Sequence, residues 1–270
     1  MNPPLFDSHN HLHDERLKPH LLAVLEETRR RNVRKMVVNG STEKDWHDVL
    51  RLADEHSEVI PSLGLHPWYL KERSADWQKA LSAHLDRRLA GIGEIGLDRW
   101  IKGFDLDDQS SVFSWQLRLA AERNLPVSIH CLQAWGQLLE MLRSNPRPAC
   151  GFVLHSFGGP REMIEPLAEL GAYFSLPGYF AHPRKNRQQE AFRNVPLDRL
   201  LLETDAPDQL LPESHNLYSL IDKSAGRPIN HPANLSAVYR FAAELLGKPL
   251  EELAHRIEHN FRRLFGRLLG

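Results

Sequence analysis

The stretch Gly91-Ile92-Gly93-Glu94-Ile95-Gly96-Leu97-Asp98 is a short apolar run that contains and ends on acidic residues, and a longer segment, Asp108–Asn124, follows it. The short run has the length and composition of a buried strand. In the longer segment Val112, Trp115 and Leu119 recur at helical spacing, which predicts an amphipathic helix. A strand followed by a helix is the unit from which parallel α/β folds are built.

The same unit recurs before and after this stretch. Candidate strands lie at Leu5–His9, Lys35–Asn39, Val59–Leu65, Gly91–Ile95, Pro126–His130, Gly151–His155, Ala172–Ser175 and Leu200–Thr204. Further helices are predicted at Leu17–Arg31 and Arg161–Leu170, with two or three more over Pro232–Leu269. Eight strands with intervening helices predict a (β/α)8 TIM-like barrel, with residues 1–270 forming a single domain. An open doubly wound sheet has less support because no Gly-x-Gly-x-x-Gly follows the first strand.

The composition is that of a globular protein, and it argues against several classes of function. The chain is 41% hydrophobic, and 34 basic residues nearly balance 35 acidic ones for a net charge of −1. Coating of nucleic acid by bulk charge is therefore not expected, and any phosphate binding has to be local. No apolar run approaches a membrane span and no secretory signal is visible, so we expect a cytoplasmic protein without a membrane partner. Cys131 and Cys150 are too few for a disulfide framework, whereas fifteen histidines prompt a search for a metal site.

Side chains that can bind metal stand at the carboxyl ends of five predicted strands. They are His9, His11, Glu94, His130, His155 and Asp205. In a barrel these strand ends open on one face, where the loops build active sites. A single histidine at a strand end is more often a hydrogen-bonded structural residue, and His-x-His alone is a weak signal. The coincidence at five strand ends favours a metal centre.

The residue types indicate which chemistry such a centre would perform. Imidazole and carboxylate suit divalent ions such as Zn²⁺, Mn²⁺, Ni²⁺ or Fe²⁺. Residues two apart in a strand face the same side, so His9 and His11 can bind one ion together. A carboxylate can bridge two ions, which makes Glu94 the natural bridge of a two-metal site. Two ions can activate a shared water and polarise a phosphoryl oxygen, and Asp205 could bind one ion and accept the proton of the attacking water.

Other residues near the predicted mouth are weaker candidates. His66 could contact the substrate or the attacking water, or be an ordinary turn histidine. Glu203 could orient a ligand histidine, or be a buried structural carboxylate. Arg99 and Lys102 could contact phosphate and Trp100 could stack a base, or these three could be solvated loop residues and a cap on the barrel mouth. Further candidates of these two kinds are Arg184, Lys185, Trp68, Tyr69 and Trp135.

Six motifs occur together along the chain. They are Asp7-Ser8-His9-Asn10-His11-Leu12, Gly64-Leu65-His66-Pro67, the stretch 91–98 quoted above, Leu125-Pro126-Val127-Ser128-Ile129-His130, Leu201-Leu202-Glu203-Thr204-Asp205-Ala206-Pro207 and Asn260-Phe261-Arg262-Arg263-Leu264-Phe265. In these motifs the sequence resembles the TatD family of metal-dependent hydrolases, within the amidohydrolase-like barrels, over essentially its whole length. Two loops depart from the family pattern. After His130 the usual arginine and aspartate are missing, and His155 is followed by Ser156-Phe157-Gly158-Gly159 where the family has Cys-Phe-Ser-Gly.

The resemblance implies a binuclear centre. One ion would take His9, His11, Glu94 and Asp205, and the other would share Glu94 and add His130 and His155. It also implies phosphodiester hydrolysis, typically as a 3′-to-5′ exodeoxyribonuclease that uses Mg²⁺ or another divalent ion, and we expect a metal-bridging hydroxide to be the attacking group. The partner would then be DNA or another phosphodiester. We expect the chain to be a monomer, and an oligomer stays open.

Two other functions stay open from the sequence. The same site could hydrolyse a small ester, amide or lactone, which the missing arginine–aspartate pair and the neutral charge favour. The barrel could also be a non-catalytic metal-binding partner in a larger assembly, although the complete ligand set argues against it. Rates on single-stranded DNA and on small esters would separate the two enzymatic alternatives.

Overall fold

The computed structural model describes residues 3–100, 103 and 105–269, so that Lys102 lies outside the described residues. Eight parallel strands form one sheet in chain order. They are β1 (Leu5–Asn10), β2 (Val33–Asn39), β3 (Val59–Leu63), β4 (Gly91–Asp98), β5 (Val127–Leu132), β6 (Phe152–Leu154), β7 (Ala172–Pro177) and β8 (Leu200–Glu203). Each predicted strand is present, and the predicted TIM-like barrel is confirmed.

Helices alternate with the strands and continue after the last of them. They are α1 (Leu21–Arg30), α2 (Trp46–Glu55), α3 (Trp77–Arg87), α4 (Leu106–Arg123), α5 (Trp135–Ser144), α6 (Ile164–Glu169), α7 (Asn186–Phe192), α8 (Leu235–Leu246) and α9 (Leu250–Phe265). Helix α4 begins where the Asp105 carboxylate accepts hydrogen bonds from two backbone N–H groups, and it ends at Asn124 in the left-handed region. Within the described residues, none of the helices has both the length and the apolar character needed to cross a bilayer.

The strand–helix alternation is interrupted after β8. Two short strands, β9 (Ser219–Asp222) and β10 (Arg227–Asn230), form an antiparallel hairpin before α8 begins. The hairpin was not predicted because its strands are four residues long and only partly buried, so they carry little hydrophobic pattern.

The seam between β1 and β8 is closed by few backbone bonds. At its carboxyl end Asp205 N–H donates to the His9 carbonyl at 3.0 Å, and His11 N–H donates to the Ala206 carbonyl at 2.8 Å. Lower down, the Tyr239 hydroxyl of α8 accepts from Phe6 N–H at 2.9 Å and donates to the Phe6 carbonyl at 3.2 Å. A side chain therefore takes the place of a neighbouring strand at this point.

The opposite end of the barrel is plugged by apolar side chains. Inward residues of six strands pack there against the end of α9, and the cluster is Phe6, Val37, Ile60, Val153, Tyr173, Leu201, Phe261, Leu264 and Phe265. Because apolar side chains close this floor, polar groups inside the barrel can reach solvent only at the carboxyl ends of the strands.

Candidate metal centre

The six predicted ligand side chains converge at the carboxyl mouth of the barrel. Five of the six residues are buried, and the His11 side chain is the most exposed at 16%. They come from β1, β4, β5 and the segments that follow β1, β6 and β8. Glu94 lies at the centre, with histidine nitrogens facing both of its oxygens.

The first set of ligand atoms surrounds Glu94 Oε2. His9 Nε2 and His11 Nε2 are 3.3 Å apart, each 3.4 Å from Glu94 Oε2 and 3.6 Å from Asp205 Oδ1. Tetrahedral ligands about 2.0–2.1 Å from a zinc ion are about 3.3–3.4 Å from one another. The four atoms therefore have the spacing that one divalent ion requires.

The second set surrounds Glu94 Oε1. His130 Nδ1 and His155 Nε2 lie 3.2 and 3.0 Å from this oxygen and 3.3 Å from each other. Three protein ligands leave a coordination position for water or substrate, as in catalytic metal sites. The residues present thus fit two ions that share Glu94.

Irregular strand pairing accompanies two of these ligands. The β1–β2 ladder shifts register between Asp7 and Asn10, which brackets His9, and the β4–β5 ladder shifts between Ile92 and Ile95, which brackets Glu94. Irregularities of this kind re-aim side chains and are frequent beside active sites. Periodicity in the sequence gives no sign of them.

Gly96 allows β4 and β5 to approach each other next to the ligands. A Cβ atom at this position would lie 1.9 Å from the His130 carbonyl oxygen. Glycine is therefore required between Glu94 and Asp98 if His130 is to face the centre.

Hydrogen bonds at the far nitrogen orient three of the four candidate ligand imidazoles, those of His9, His11 and His130. His11 Nδ1 lies 2.8 Å from the Asn39 carbonyl oxygen, and His9 Nδ1 lies 2.8 Å from Ser128 Oγ. With a proton on Nδ1, each of these rings turns the Nε2 lone pair toward Glu94. Such outer partners fix the tautomer of a metal-binding histidine.

His66 differs from the ligand histidines in its tautomer. Its Nδ1 accepts a hydrogen bond from Trp68 N–H at 3.2 Å, so its proton is on Nε2, which lies 3.3 Å from Glu94 Oε1. His66, Glu94 and His130 are close enough together to form a metal-binding group. We nevertheless interpret His66 as a hydrogen-bond donor in the centre, because its inward nitrogen carries the proton.

Asp98 was not singled out from the sequence, and the structure places it directly behind His130. Its Oδ2 lies 2.9 Å from His130 Nε2 and accepts from Trp68 Nε1 at 2.6 Å, while Oδ1 accepts from Trp100 N–H at 2.7 Å. This bond directs the His130 Nδ1 lone pair to the centre. The signal was available, since Asp98 follows Glu94 by four residues and so lies on the same side of an ideal strand.

Glu203 and Gln209 lie behind the other ligands. Glu203 Oε1 is 3.5 Å from His155 Nδ1 and accepts from the backbone and hydroxyl of Ser156 at 2.7 and 2.6 Å. Gln209 Nε2 donates to Asp205 Oδ2 and to Ser156 Oγ, both at 2.6 Å. These bonds link the segment after β6 to the segment after β8.

The protonation of the cluster reflects opposed effects of burial and charge. Burial lowers the pKa of His9 and of His66 to about 4 each and raises the pKa of Asp205 to about 7. Burial also opposes charge on His155, but the neighbouring carboxylates of Glu94 and Glu203 outweigh it and hold the pKa of His155 well above its usual value. Protons and divalent cations therefore compete for the same nitrogens, and ion binding should release protons.

Two cavities meet above the ligands. The first, called here the polar cavity, has about 540 Å³ and is lined by His13, Asp14, Arg16, Asp45, Tyr69 and Asp208 besides the ligands. The second, called here the aromatic cavity, has about 560 Å³ and is lined by Leu132, Gln133, Trp135, Tyr179, Phe180 and Lys185. Trp100 lines both cavities, whereas Arg99 is exposed and lines neither within the described residues.

An eight-stranded parallel barrel with histidines and carboxylates gathered at the carboxyl ends of its strands is the architecture of a metal-dependent hydrolase. The family described as TatD related DNase matches residues 6–266, and the chain belongs to this family. The predicted family resemblance is thereby confirmed.

Individual relatives support the same assignment. The chain is 31% identical over 265 residues to the uncharacterized metal-dependent hydrolase YabD of Bacillus subtilis, covering 97% of this chain and 98% of that protein. It is 30% identical over 249 residues to the 3′-5′ ssDNA/RNA exonuclease TatD of Pantoea ananatis, covering 90% and 92%. The crystal structure of YjjV, a TatD homolog from Escherichia coli, matches with a TM-score of 0.89 at 28% identity, over 98% of this chain and 99% of that one.

Proposed function

We propose that this protein is a two-metal phosphodiesterase that removes nucleotides from the 3′ end of single-stranded nucleic acid. The observation that carries the proposal is that Glu94 presents each carboxylate oxygen to a different set of histidine nitrogens. A relative that is 30% identical over most of both chains bears the name of a 3′-5′ ssDNA/RNA exonuclease, which supports the substrate and the polarity.

The proposed ligand sets follow from the spacing of the donor atoms. One ion would be held by His9, His11, Asp205 and Glu94 Oε2, and the other by His130, His155 and Glu94 Oε1. When bound, two such ions lower the pKa of a water molecule and polarise a phosphoryl oxygen. The closed barrel floor confines the substrate to the mouth.

The remaining side chains position groups and move protons. Asp205 accepts the proton of the attacking water, and the Gln209 amide keeps the Asp205 carboxylate in place. His66 Nε2–H points into the centre as a donor for a phosphoryl oxygen. Asp98 and Glu203 hold His130 and His155 in the orientation that turns a lone pair inward.

The direction of nucleic-acid digestion and the number of bound ions test the proposal directly. Metal-free protein is loaded with Mg²⁺, Mn²⁺ or Zn²⁺, bound ions are counted by elemental analysis, and single-stranded oligonucleotides labelled at the 5′ end are digested. The expected result is two ions per chain and a ladder that shortens from the 3′ end, with circular single strands and 3′-phosphorothioate ends resisting. Cleavage of circles, or shortening from the 5′ end, would contradict the proposed polarity.

Glu94→Gln isolates the bridging charge. The amide has nearly the same shape but cannot bridge two cations, so turnover is expected to fall by orders of magnitude while the circular dichroism spectrum is retained. Glu165→Gln, an exposed change of the same kind, is the matched control and should behave like the wild type. Full divalent-dependent activity in Glu94→Gln would contradict the two-metal proposal, and faster turnover of small esters than of oligonucleotides would favour the alternative substrate class.

A further inference from the structure

The two cavities at the mouth differ in charge. The polar cavity contains three carboxylates beyond the ligand set, on Asp14, Asp45 and Asp208, against the single guanidinium of Arg16. Arg16 is itself engaged, since Nη2 lies 2.9 Å from Asp14 Oδ2 and 2.8 Å from Asp208 Oδ2. An anionic chain is therefore repelled from this side of the centre.

The aromatic cavity has the opposite character. Its lining groups beyond the candidate ligands are mostly aromatic, aliphatic or amide, and among the described residues Lys185 is the charged one. Lys185 Nζ lies 4.8 Å from the ring centroid of Tyr179 and 5.6 Å from that of Phe180, and it pairs with no described carboxylate. A cation held over ring faces remains available to a phosphate.

The rim of the aromatic cavity exposes apolar side chains to water, which is unfavourable unless a ligand covers them. Trp100 is 63% exposed and Leu132 is 37% exposed, and both line this cavity. Leu132, the last residue of β5, and Gln133 after it stand where the TatD pattern has an arginine and an aspartate. The chain therefore presents an uncharged rim next to its candidate ligands, and exposed apolar patches of this kind mark binding sites.

We propose that the aromatic cavity binds one nucleotide of the substrate next to the scissile ester, with its base against Trp100 and Tyr179 and its phosphate near Lys185. This inference rests on the proposed function and deepens it. It states on which side of the centre the bound strand lies, and it makes an intact base a determinant of the efficiency of cleavage. Stacking of a base on an aromatic side chain contributes roughly 1–3 kcal/mol in single-strand binders. That range corresponds to roughly 5- to 150-fold in binding.

Abasic oligonucleotides test the role of the base. Initial rates are compared between a single-stranded substrate with normal 3′-terminal nucleotides and the same strand with tetrahydrofuran residues in the last two positions. The wild type is expected to cleave the normal strand at least fivefold more efficiently, mainly through KM. Trp100→Ala should remove most of this preference, and Trp100→Phe should restore it.

Lys185→Met tests the phosphate contact. It is expected to raise KM for the oligonucleotide about five- to tenfold and to reduce the dependence of KM on salt, with kcat little changed. Arg187→Met is the matched control, because Arg187 is an exposed cation of α7 that does not line the aromatic cavity. Equal rates on normal and abasic strands, with wild-type behaviour of both Trp100→Ala and Lys185→Met, would overturn the inference even if the 3′-exonuclease activity is present.

A binding measurement separates this inference from the proposed function. Thymidine 5′-monophosphate is titrated calorimetrically into the wild type, Trp100→Ala and Lys185→Met, without any hydrolysis being required. Weaker binding to both variants supports the nucleotide site even if no phosphodiester is cleaved. Binding that is absent, or that is the same in all three proteins, contradicts it.

Discussion

Asp98→Asn tests how far the orientation of the candidate ligand His130 depends on a carboxylate outside the proposed ligand sets. Three donors converge on Asp98: His130 Nε2–H and Trp68 Nε1–H on Oδ2, and Trp100 N–H on Oδ1. An amide has one acceptor oxygen and one NH₂ group. Whichever way it turns, the NH₂ group faces a donor, so at least one buried hydrogen bond is lost.

The number of hydrogen bonds lost sets the size of the effect on metal affinity and activity. Leaving a buried donor unpaired costs about 1–3 kcal/mol, and loss of an outer partner of a metal-binding histidine typically lowers metal affinity or activity by about 10- to 100-fold. These two ranges agree, since tenfold is about 1.4 kcal/mol. In the wild type, burial of Asp98 opposes its charge, but the bonds from His130 and Trp68 lower the pKa of Asp98 to about 2, so the carboxylate is ionised at any ordinary working pH.

The assay measures ion affinity and turnover separately. Mn²⁺ is titrated into metal-free protein by calorimetry, and initial rates on a single-stranded oligonucleotide are recorded against free Mn²⁺. Asp98→Asn is expected to weaken one of two binding events by about 10- to 100-fold and to recover part of its activity at excess Mn²⁺. Asp107→Asn, an exposed charge removal in the first turn of α4, is the matched control. Unchanged affinity and unchanged turnover in Asp98→Asn would refute the assignment of Asp98 as the residue that orients His130.

Three further predictions concern stability. Tyr239→Phe removes the hydroxyl that bonds both backbone groups of Phe6, so the free energy of unfolding in urea should fall by about 2–4 kcal/mol; Tyr173→Phe, whose hydroxyl bonds nothing within the described residues, should change it by less than about 0.5 kcal/mol. Burial lowers the pKa of His231 to about 4, so the unfolded chain binds a proton at this residue before the native protein does as the pH falls. Up to about 3 kcal/mol of stability should therefore be lost between about pH 6.5 and pH 4. His231→Asn should lose less stability over the same window, and equal pH dependence of the two proteins would contradict the lowered pKa of His231. Chelation should abolish hydrolysis and lower the melting temperature, because an ion at about 100 times its Kd stabilises the native state by about 2.7 kcal/mol; an unchanged melting temperature with full activity would show that the centre holds no required ion.

The barrel could be predicted from the sequence because its signals are local and repeated. Each buried strand is an apolar run of a few residues, and each following helix shows its own periodicity, so the eight units could be located one by one. Strand ends were less well defined: β4 continues to Asp98 and β5 to Leu132, beyond their predicted ends at Ile95 and His130. The additional residues still pair between neighbouring strands, and pairing across a sheet leaves no periodic mark in one chain.

The candidate ligands could be identified from the sequence for a different reason. A parallel barrel brings every strand end to one face, so residue type and position along a strand suffice to place His9 and Glu94 near each other. The tautomers of His9 and His11 could not be predicted, because they depend on Ser128 and Asn39, which lie far from these rings in sequence. His66, a donor, could not be distinguished from the histidines that turn a lone pair inward, because its tautomer depends on the backbone geometry at Trp68.

The irregular seam of the barrel explains the aspartate that opens the first motif. Asp7 is fully buried beside the candidate ligands but faces the last strand, where Oδ1 accepts from Thr204 N–H at 3.0 Å and Oδ2 accepts from Thr204 Oγ1 at 2.6 Å. The same carboxylate accepts from His9 N–H at 3.2 Å and from the Asn10 amide at 3.1 Å. Since β1 and β8 share no continuous ladder, Asp7 fixes the segment that carries His9 against the segment that carries Asp205. Two candidate ligands are thus held in register by a neighbouring side chain outside the proposed ligand set, and this clamp gives the spacing Asp-x-His-x-His a structural reason in addition to metal binding.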